Sequence, residues 1–451
     1  MQWHAALAWL GDEVAADVLI EAHGERITTI TPGVAAPAGA VRLEGLTLPG
    51  LANAHSHAFH RALRGRVQGG SGTFWTWREQ MYSVAARLDP GSYYALARGV
   101  YAEMALAGIS CVGEFHYLHH APGGTPYAEP NAMGDALVAA AADAGIRITL
   151  LDACYLTGGI GRPLQGPQLR FGDGSVGNWQ RRVDAMRSSV HKNGRSHARI
   201  GAAVHSVRAV PREQIRAIAG WAKQYGAPLH VHLSEQPAEN EECVEAYGVT
   251  PTRLLAECHA LGARTVAVHA THLTADDIGL LGTTMTGVCM CPTTERDLAD
   301  GIGPAKDLQE AGSPLCLGSD QHAVIDLFEE ARGMELDERL RTRRRGHWRA
   351  GELLTAATSA GHYALGWPQA GRLEPGAYAD LVTIGLDSVR TAGTDPAYAA
   401  EAAVFAATAA DVRHVVVSGR DIVQDGRHLL IDDVPGTLTA AISAVTADDQ
   451  E

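Results

Sequence analysis

The sequence predicts an α/β protein, a (β/α)8 TIM-type barrel with a small β-sandwich domain formed by the N- and C-terminal segments. Three observations predict it. Across residues 49–370, eight apolar strand-like runs alternate with Ala-rich helical stretches. Buried parallel strands separated by helices close into a barrel at that number. Residues 1–48 and 371–451 instead read as short β-like pieces with turn signals, such as GERITTI, ADLVTIGL and VRHVVVSGRDIVQDGR. Each end is too short to stand alone, so the two are expected to pair into one composite domain beside the barrel. Finally, the barrel strands carry their His, Asp, Glu or Arg at the C-terminal end, the face on which barrel enzymes build their active sites.

The strand candidates run in order. They are LPGLANAHSH (48–57), SCVGEFHYL (110–118), IRITLLDACY (146–155), ARIGAAVHSV (198–207), PLHVHLSE (228–235), RTVAVHATHL (264–273), TGVCMCPTTE (286–295) and SPLCLGSDQH (313–322). Between them lie helix candidates such as PREQIRAIAGWAKQYG, several closing on glycine as helix C-termini do. The segment FWTWR (74–78) reads as a Trp-rich loop, with Trp75 and Trp77 packing within it, and AVTADDQE as a frayed tail.

Composition sets limits on function. With 451 residues, one barrel plus an accessory domain is the natural division. No run approaches the roughly 18 apolar residues of a membrane span, and the N-terminal MQWHAALAWLGDEVAADV lacks a basic start and a cleavage site. A cytoplasmic protein is therefore expected. The seven cysteines are odd in number and sit mostly in apolar runs, which suits reduced core thiols. A net charge of −14 argues against nucleic acid or an anionic membrane as partner. A small-molecule substrate is not excluded, because a pocket can carry the opposite sign locally. The basic run Arg341–Arg345 follows an acidic helical stretch and reads as a solvated helix face.

The chemistry sits at the strand ends. His55 and His57 are two residues apart, so in a strand both imidazoles face one side and can grip one ion. His230 and His232 repeat the pattern, with Glu235 three residues beyond the second. Asp320 emerges from an apolar run, and His269 ends another strand near the same mouth. Three neutral imidazoles and a carboxylate form an N/O set suited to zinc or ferrous iron. Two-metal barrels often need a bridging carbamylated lysine on the fourth strand. None of the three lysines (192, 223, 306) lies on a strand end, so one divalent ion per chain is expected.

LANAHSH, HVHLSE, VAVHATHL and LCLGSDQH, in this order, resemble the amidohydrolase superfamily in its mononuclear deaminase branch, and GRLEPGAYADLVTIG resembles its return from barrel to sandwich. More finely, HSHAFHRALRGR, GTFWTWREQMY, GEFHYLHH and AAVHSVRAV are similar to the formimidoylglutamate deiminases of histidine degradation. His60 stands where glutamine is expected. The resemblance implies a hydrolase converting N-formimidoyl-L-glutamate to N-formyl-L-glutamate and ammonia, and a homodimer. It also selects His232 over His230, giving the metal set His55, His57, His232 and Asp320. Implied catalytic residues are Glu235 as proton shuttle, Asp320 as acceptor of the water's proton and His269 as orienter of the nucleophile. A substrate with two carboxylates calls for guanidinium groups, for which Arg78 and Arg208 are the candidates. The resemblance adds His60, Tyr117 and His205 as substrate contacts. Two other readings remain: a mononuclear deaminase of a nucleobase or nucleoside such as guanine, and a non-catalytic binding relative.

Overall fold

The computed structural model describes residues 1–69, 72 and 74–447. Sixteen strands among the described residues form two eight-stranded sheets. The first four are β1 (Gln2–Trp9), β2 (Val14–His23), β3 (Arg26–Thr31) and β4 (Val41–Pro49). Then come β5 (Leu51–Ser56), β6 (Ile109–His116), β7 (Arg147–Cys154) and β8 (Ala198–Val204). They continue with β9 (Leu229–Leu233), β10 (Thr265–His269), β11 (Gly287–Met290) and β12 (Leu315–Leu317). The last four are β13 (Leu381–Ile384), β14 (Val412–Val417), β15 (Arg420–Gln424) and β16 (Arg427–His428).

Strands β5 to β12 pair in parallel, each with its sequence neighbour, and helices fill the intervals, giving the expected (β/α)8 barrel. Their near-continuous apolar runs follow from burial on both faces. Closure is narrow. Between β5 and β12 the pairing is a bridge at Ser56 and Asp320, where Asp320 N donates to His55 O (3.0 Å) and His57 N to Asp320 O (3.1 Å). A Cβ at Gly318 would lie 2.8 Å from the His55 side chain, so glycine there lets the last strand approach the first.

The two chain ends meet in the second sheet, ordered β16-β15-β14-β13-β4-β1-β2-β3 and joined where β13 runs antiparallel to β4. The run expected as one strand over 48–57 changes sheets at Gly50. Leu48 and Pro49 pair with β13, while Leu51–Ser56 enters the barrel. Apolar residues are buried on both sides of that change, so hydrophobicity alone does not mark it. The C-terminal segment also holds helices, of which Val434–Thr446 packs on the barrel helix Pro90–Leu106. The expected frayed tail begins in its last turn, and residues 448–451 lie outside the described set.

A buried ion pair ties the sheets together. Arg147 on β7 reaches both carboxylate oxygens of Asp380, just before β13, and Ser418 Oγ at 2.9 Å. No helix among the described residues is long and apolar enough to cross a membrane. All seven cysteines are free and buried.

Candidate active site

Four side chains converge at the C-terminal mouth of the barrel, where β5, β9 and β12 end. His55 Nε2 lies 3.1 Å from His232 Nε2, and His57 Nε2 lies 3.4 Å from it. Asp320 Oδ1 is 3.3 Å from His55 Nε2 and 3.4 Å from His57 Nε2. The tautomers follow from the other ring nitrogens. His57 Nδ1 faces the carbonyl oxygen of Phe115 (2.9 Å) and His232 Nδ1 that of His205 (2.8 Å). A carbonyl only accepts, so each Nδ1 carries the proton and each Nε2 presents a lone pair. Burial holds His55, His57 and His232 well below the usual imidazole range, favouring the neutral form that ligates. Lone pairs and a carboxylate crowded together without protons between them repel, and a cation among them removes the repulsion. The donor set fits a divalent ion: zinc takes N and O ligands at about 2.0–2.2 Å, which sets ligand atoms roughly 3 Å or more apart, as found here.

His269 stands among three carboxylates. Its Nε2 is 3.8 Å from Glu235 Oε1 and 3.7 Å from Asp320 Oδ2, and its Nδ1 is 3.4 Å from Glu295 Oε1. Burial alone would lower its pKa, but Glu235, Glu295 and Asp320 raise it to about 10. Burial likewise lifts Glu235 and Asp320 above the usual carboxyl range, with His269 opposing. The backbone is forced here. His269, Ala270, Ser234 and Asp320 have φ of 68°, 52°, 50° and 40°. Left-handed non-glycine residues cost about 1–3 kcal/mol each and cluster at functional sites.

A cavity opens in front of these groups and is lined by His57, His232, Glu235, His269 and Asp320 together with Arg78 and Arg208. An outer vestibule of about 330 Å³ shares Arg78, Arg208, Tyr155 and His205 with it. Arg208 is held by Glu239, its Nε donating to Oε2 at 2.7 Å. Arg78 lies on a helix, Phe74–Arg87, correcting the expected loop. Buried Phe74, Met81, Val84 and Ala85 recur at helical spacing, and the Trp-rich start obscured that period. The Arg78 guanidinium sits 4.5 Å from the Trp75 ring centroid. Trp77 lines the inner cavity, so it is wall and not loop packing. His60 Nε2 and Tyr117 Oη are 2.9 Å apart at the cavity edge. Burial brings His60 down to about 3, so its ring is neutral.

A family model described as the amidohydrolase family matches residues 46–422. The chain belongs to the amidohydrolase family. It is thus a metal-dependent hydrolase acting on carbon–nitrogen bonds. It is 37% identical over 401 residues to formimidoylglutamate deiminase of Pseudomonas aeruginosa, covering 86% of this chain and 87% of that one. It is 31% identical over 395 residues to 8-oxoguanine deaminase of the same organism, covering 84% and 83%. Among solved structures, an amidohydrolase from Brucella melitensis superposes with a TM-score of 0.91 at 32% identity, covering 99% of this chain and 100% of that one.

One other group close enough to hold a metal ion occurs among the described residues of this amidohydrolase, His116, His119 and Asp152. Arg182 donates to both oxygens of Asp152, at 2.6 and 2.8 Å. A guanidinium thus already occupies the place a second cation would need. His230, one pleat below His232, spends Nε2 on the carbonyl of Ala364 (3.1 Å) and lies outside the four-residue set. Sequence reasoning missed Glu295, Glu239 and the aromatic wall of Tyr82, Tyr155 and Phe171. A signal existed for Glu295, which ends the candidate TGVCMCPTTE.

Proposed function

We propose that this amidohydrolase converts N-formimidoyl-L-glutamate to N-formyl-L-glutamate and ammonia, with one divalent ion per chain, zinc or ferrous iron. The observation that carries the reading is that Arg78 and Arg208 line the same cavity as His232, Glu235 and Asp320. Two guanidiniums match two carboxylates, and the 37% identical relative bears that activity's name. The family resemblance further implies a homodimer.

His55, His57, His232 and Asp320 would hold the cation, which supplies the Lewis acidity that makes water nucleophilic near neutral pH. Arg78 and Arg208 bind the glutamate carboxylates and fix the amidine carbon over the metal set. His60, Tyr117 and His205 close the sides. Asp320 accepts the proton that the attacking water gives up. Glu235 protonates the imine nitrogen, takes up the second water proton from the hydroxyl of the tetrahedral carbon and passes it to the departing amine, and the proton held by Asp320 then restores Glu235. The C=N bond opens to a tetrahedral carbon, C–N cleavage releases ammonia, and C=O remains. His269, 3.8 Å from Glu235 and 3.7 Å from Asp320, orients the attacking water. A zinc nucleobase deaminase uses a non-ligand Glu in the same way on an unrelated fold.

A second reading rests on Tyr82, Tyr117, Tyr155 and Phe171, which wall the cavity as a shelf for an aromatic heterocycle. Ammonia release from formimidoylglutamate, formimidoylaspartate, guanine, 8-oxoguanine and cytosine decides between them. Turnover of the linear dicarboxylate alone is expected. Turnover of a neutral ring with none of the dicarboxylate overturns the proposal.

A further inference from the structure

Behind the metal set runs a buried hydrogen-bond chain that the reaction does not use. Ser56 lies between His55 and His57. Its Oγ donates to Glu114 Oε2 at 2.7 Å, while Glu114 Oε1 accepts from Ala58 N, also at 2.7 Å. One carboxylate on β6 therefore brackets His57 from both sides. Ser56 Oγ is also 3.1 Å from His322 Nε2, and His322 Nδ1 is 2.9 Å from Ser319 Oγ. Asn53 completes the run: its Nδ2 donates to Ser319 Oγ (2.7 Å) and its Oδ1 accepts from Ser319 N (2.9 Å). Asn53, Ser56, Glu114, Ser319 and His322 are fully buried.

The chain has one consistent direction. Burial pushes the Glu114 carboxyl up to about 7; once ionised it only accepts, so the Ser56 hydroxyl proton points to it, and Ser56 Oγ must accept from His322 Nε2–H. His322 Nδ1 then lacks a proton and accepts from the Ser319 hydroxyl, whose oxygen accepts from Asn53. Every donor has one acceptor. The run passes within two residues of His55, His57 and Asp320, and it crosses the β5–β12 seam where the barrel closes. It also borders the left-handed turn, Asp320 at φ 40° and His322 at φ 61°, that presents the Asp320 carboxylate.

We propose that Glu114, Ser56 and His322 are positioning residues for the metal set. They lock the first and last barrel strands in the register that brings three of the four ligand side chains together. The inference goes beyond the substrate reading and holds for any amidohydrolase chemistry at this site. Outer partners of metal ligands typically carry 10- to 100-fold in metal affinity.

Glu114→Gln tests the direction of the chain. If its amide oxygen stays on Ala58 N, an NH₂ group faces Ser56 Oγ, the Ser56 proton must turn to His322, and the Ser319 hydroxyl is left without an acceptor. Ser56→Ala is the smaller cut, removing the central hydroxyl alone. The readouts are zinc affinity by chelator competition, the visible spectrum of the cobalt(II)-loaded full chain, and the unfolding midpoint of the metal-free protein. Both variants should bind zinc 10- to 100-fold more weakly and shift the cobalt spectrum, by more than any fall in the metal-free midpoint accounts for. Ser56→Thr, which restores the hydroxyl, should recover affinity relative to Ser56→Ala. Wild-type zinc affinity and cobalt spectrum in Ser56→Ala overturn the proposal, even where Glu114→Gln fails to fold. A loss of metal-free stability matching the whole loss of affinity overturns it too, since the chain would then serve the fold and not the ligands.

Discussion

The two arginines make different predictions, because the structure holds them differently. Arg78 stacks on Trp75 at the cavity edge, and Arg78→Met removes a guanidinium without stranding a carboxylate described as its partner. The expected loss is one charge-assisted bond, about 1.5–3 kcal/mol, or about 10- to 150-fold in kcat/KM for formimidoylglutamate. Arg208 is only 14% exposed and pairs with Glu239, whose side chain is fully buried. Arg208→Met should therefore cost the same factor in kcat/KM and also leave Glu239 unpaired. Breaking a buried pair costs about 3–5 kcal/mol. The lower end applies here, because Glu239 Oε1 still accepts from Ser234 N at 3.0 Å. Neutralising the stranded acid in Arg208→Met/Glu239→Gln should restore much of the stability and none of the activity. The assay is ammonia release under kcat/KM conditions, paired with denaturant unfolding and metal content. Unchanged kinetics in both single variants would refute the clamp. Activity returning with stability in the double variant would show that Arg208 acts only as structural partner to Glu239.

Glu235→Gln should retain about one metal ion per chain by elemental analysis while turnover falls by about 10²–10⁴; His232→Ala should lose the metal itself. Metal loss in Glu235→Gln would make that residue a ligand and withdraw its proton-shuttle role. Arg147→Met should strand the buried Asp380 between the two sheets and lower unfolding free energy by about 3–5 kcal/mol. An unfolding midpoint equal to wild type would show that the pair does not hold the sheets together.

Much of this site is written in local pattern. His55, His57, His232, His269 and Asp320 stand out in the sequence because each interrupts or ends an apolar run, and a strand's two-residue period places HxH on one side. The barrel was legible for the same reason, since each strand is bounded by its helix. Other features depend on contacts that no local window contains. Glu239 meets Arg208 from the helix Pro237–Tyr247, and Glu295 reaches His269 from the helix Pro292–Asp297. The aromatic wall is assembled from residues 82, 117, 155 and 171. Gly50 was invisible as a boundary because Leu48 and Leu51 are equally apolar while belonging to different sheets.

The helix Phe74–Arg87 contributes Phe74, Trp77, Arg78, Met81 and Tyr82 to the cavity, yet none of the four metal-set residues. The proposed metal set is anchored on the staves of the barrel, and part of the proposed substrate cavity comes from one helix whose other side, at Val84 and Ala85, is packed into the core. Substitutions on the cavity-facing side of that helix can therefore reshape the cavity while leaving the strands that carry the metal set unchanged in sequence. Inheritance of the hydrolytic centre and innovation in what it accepts become separable events. Substituting those cavity-facing residues is the corresponding route for an engineer.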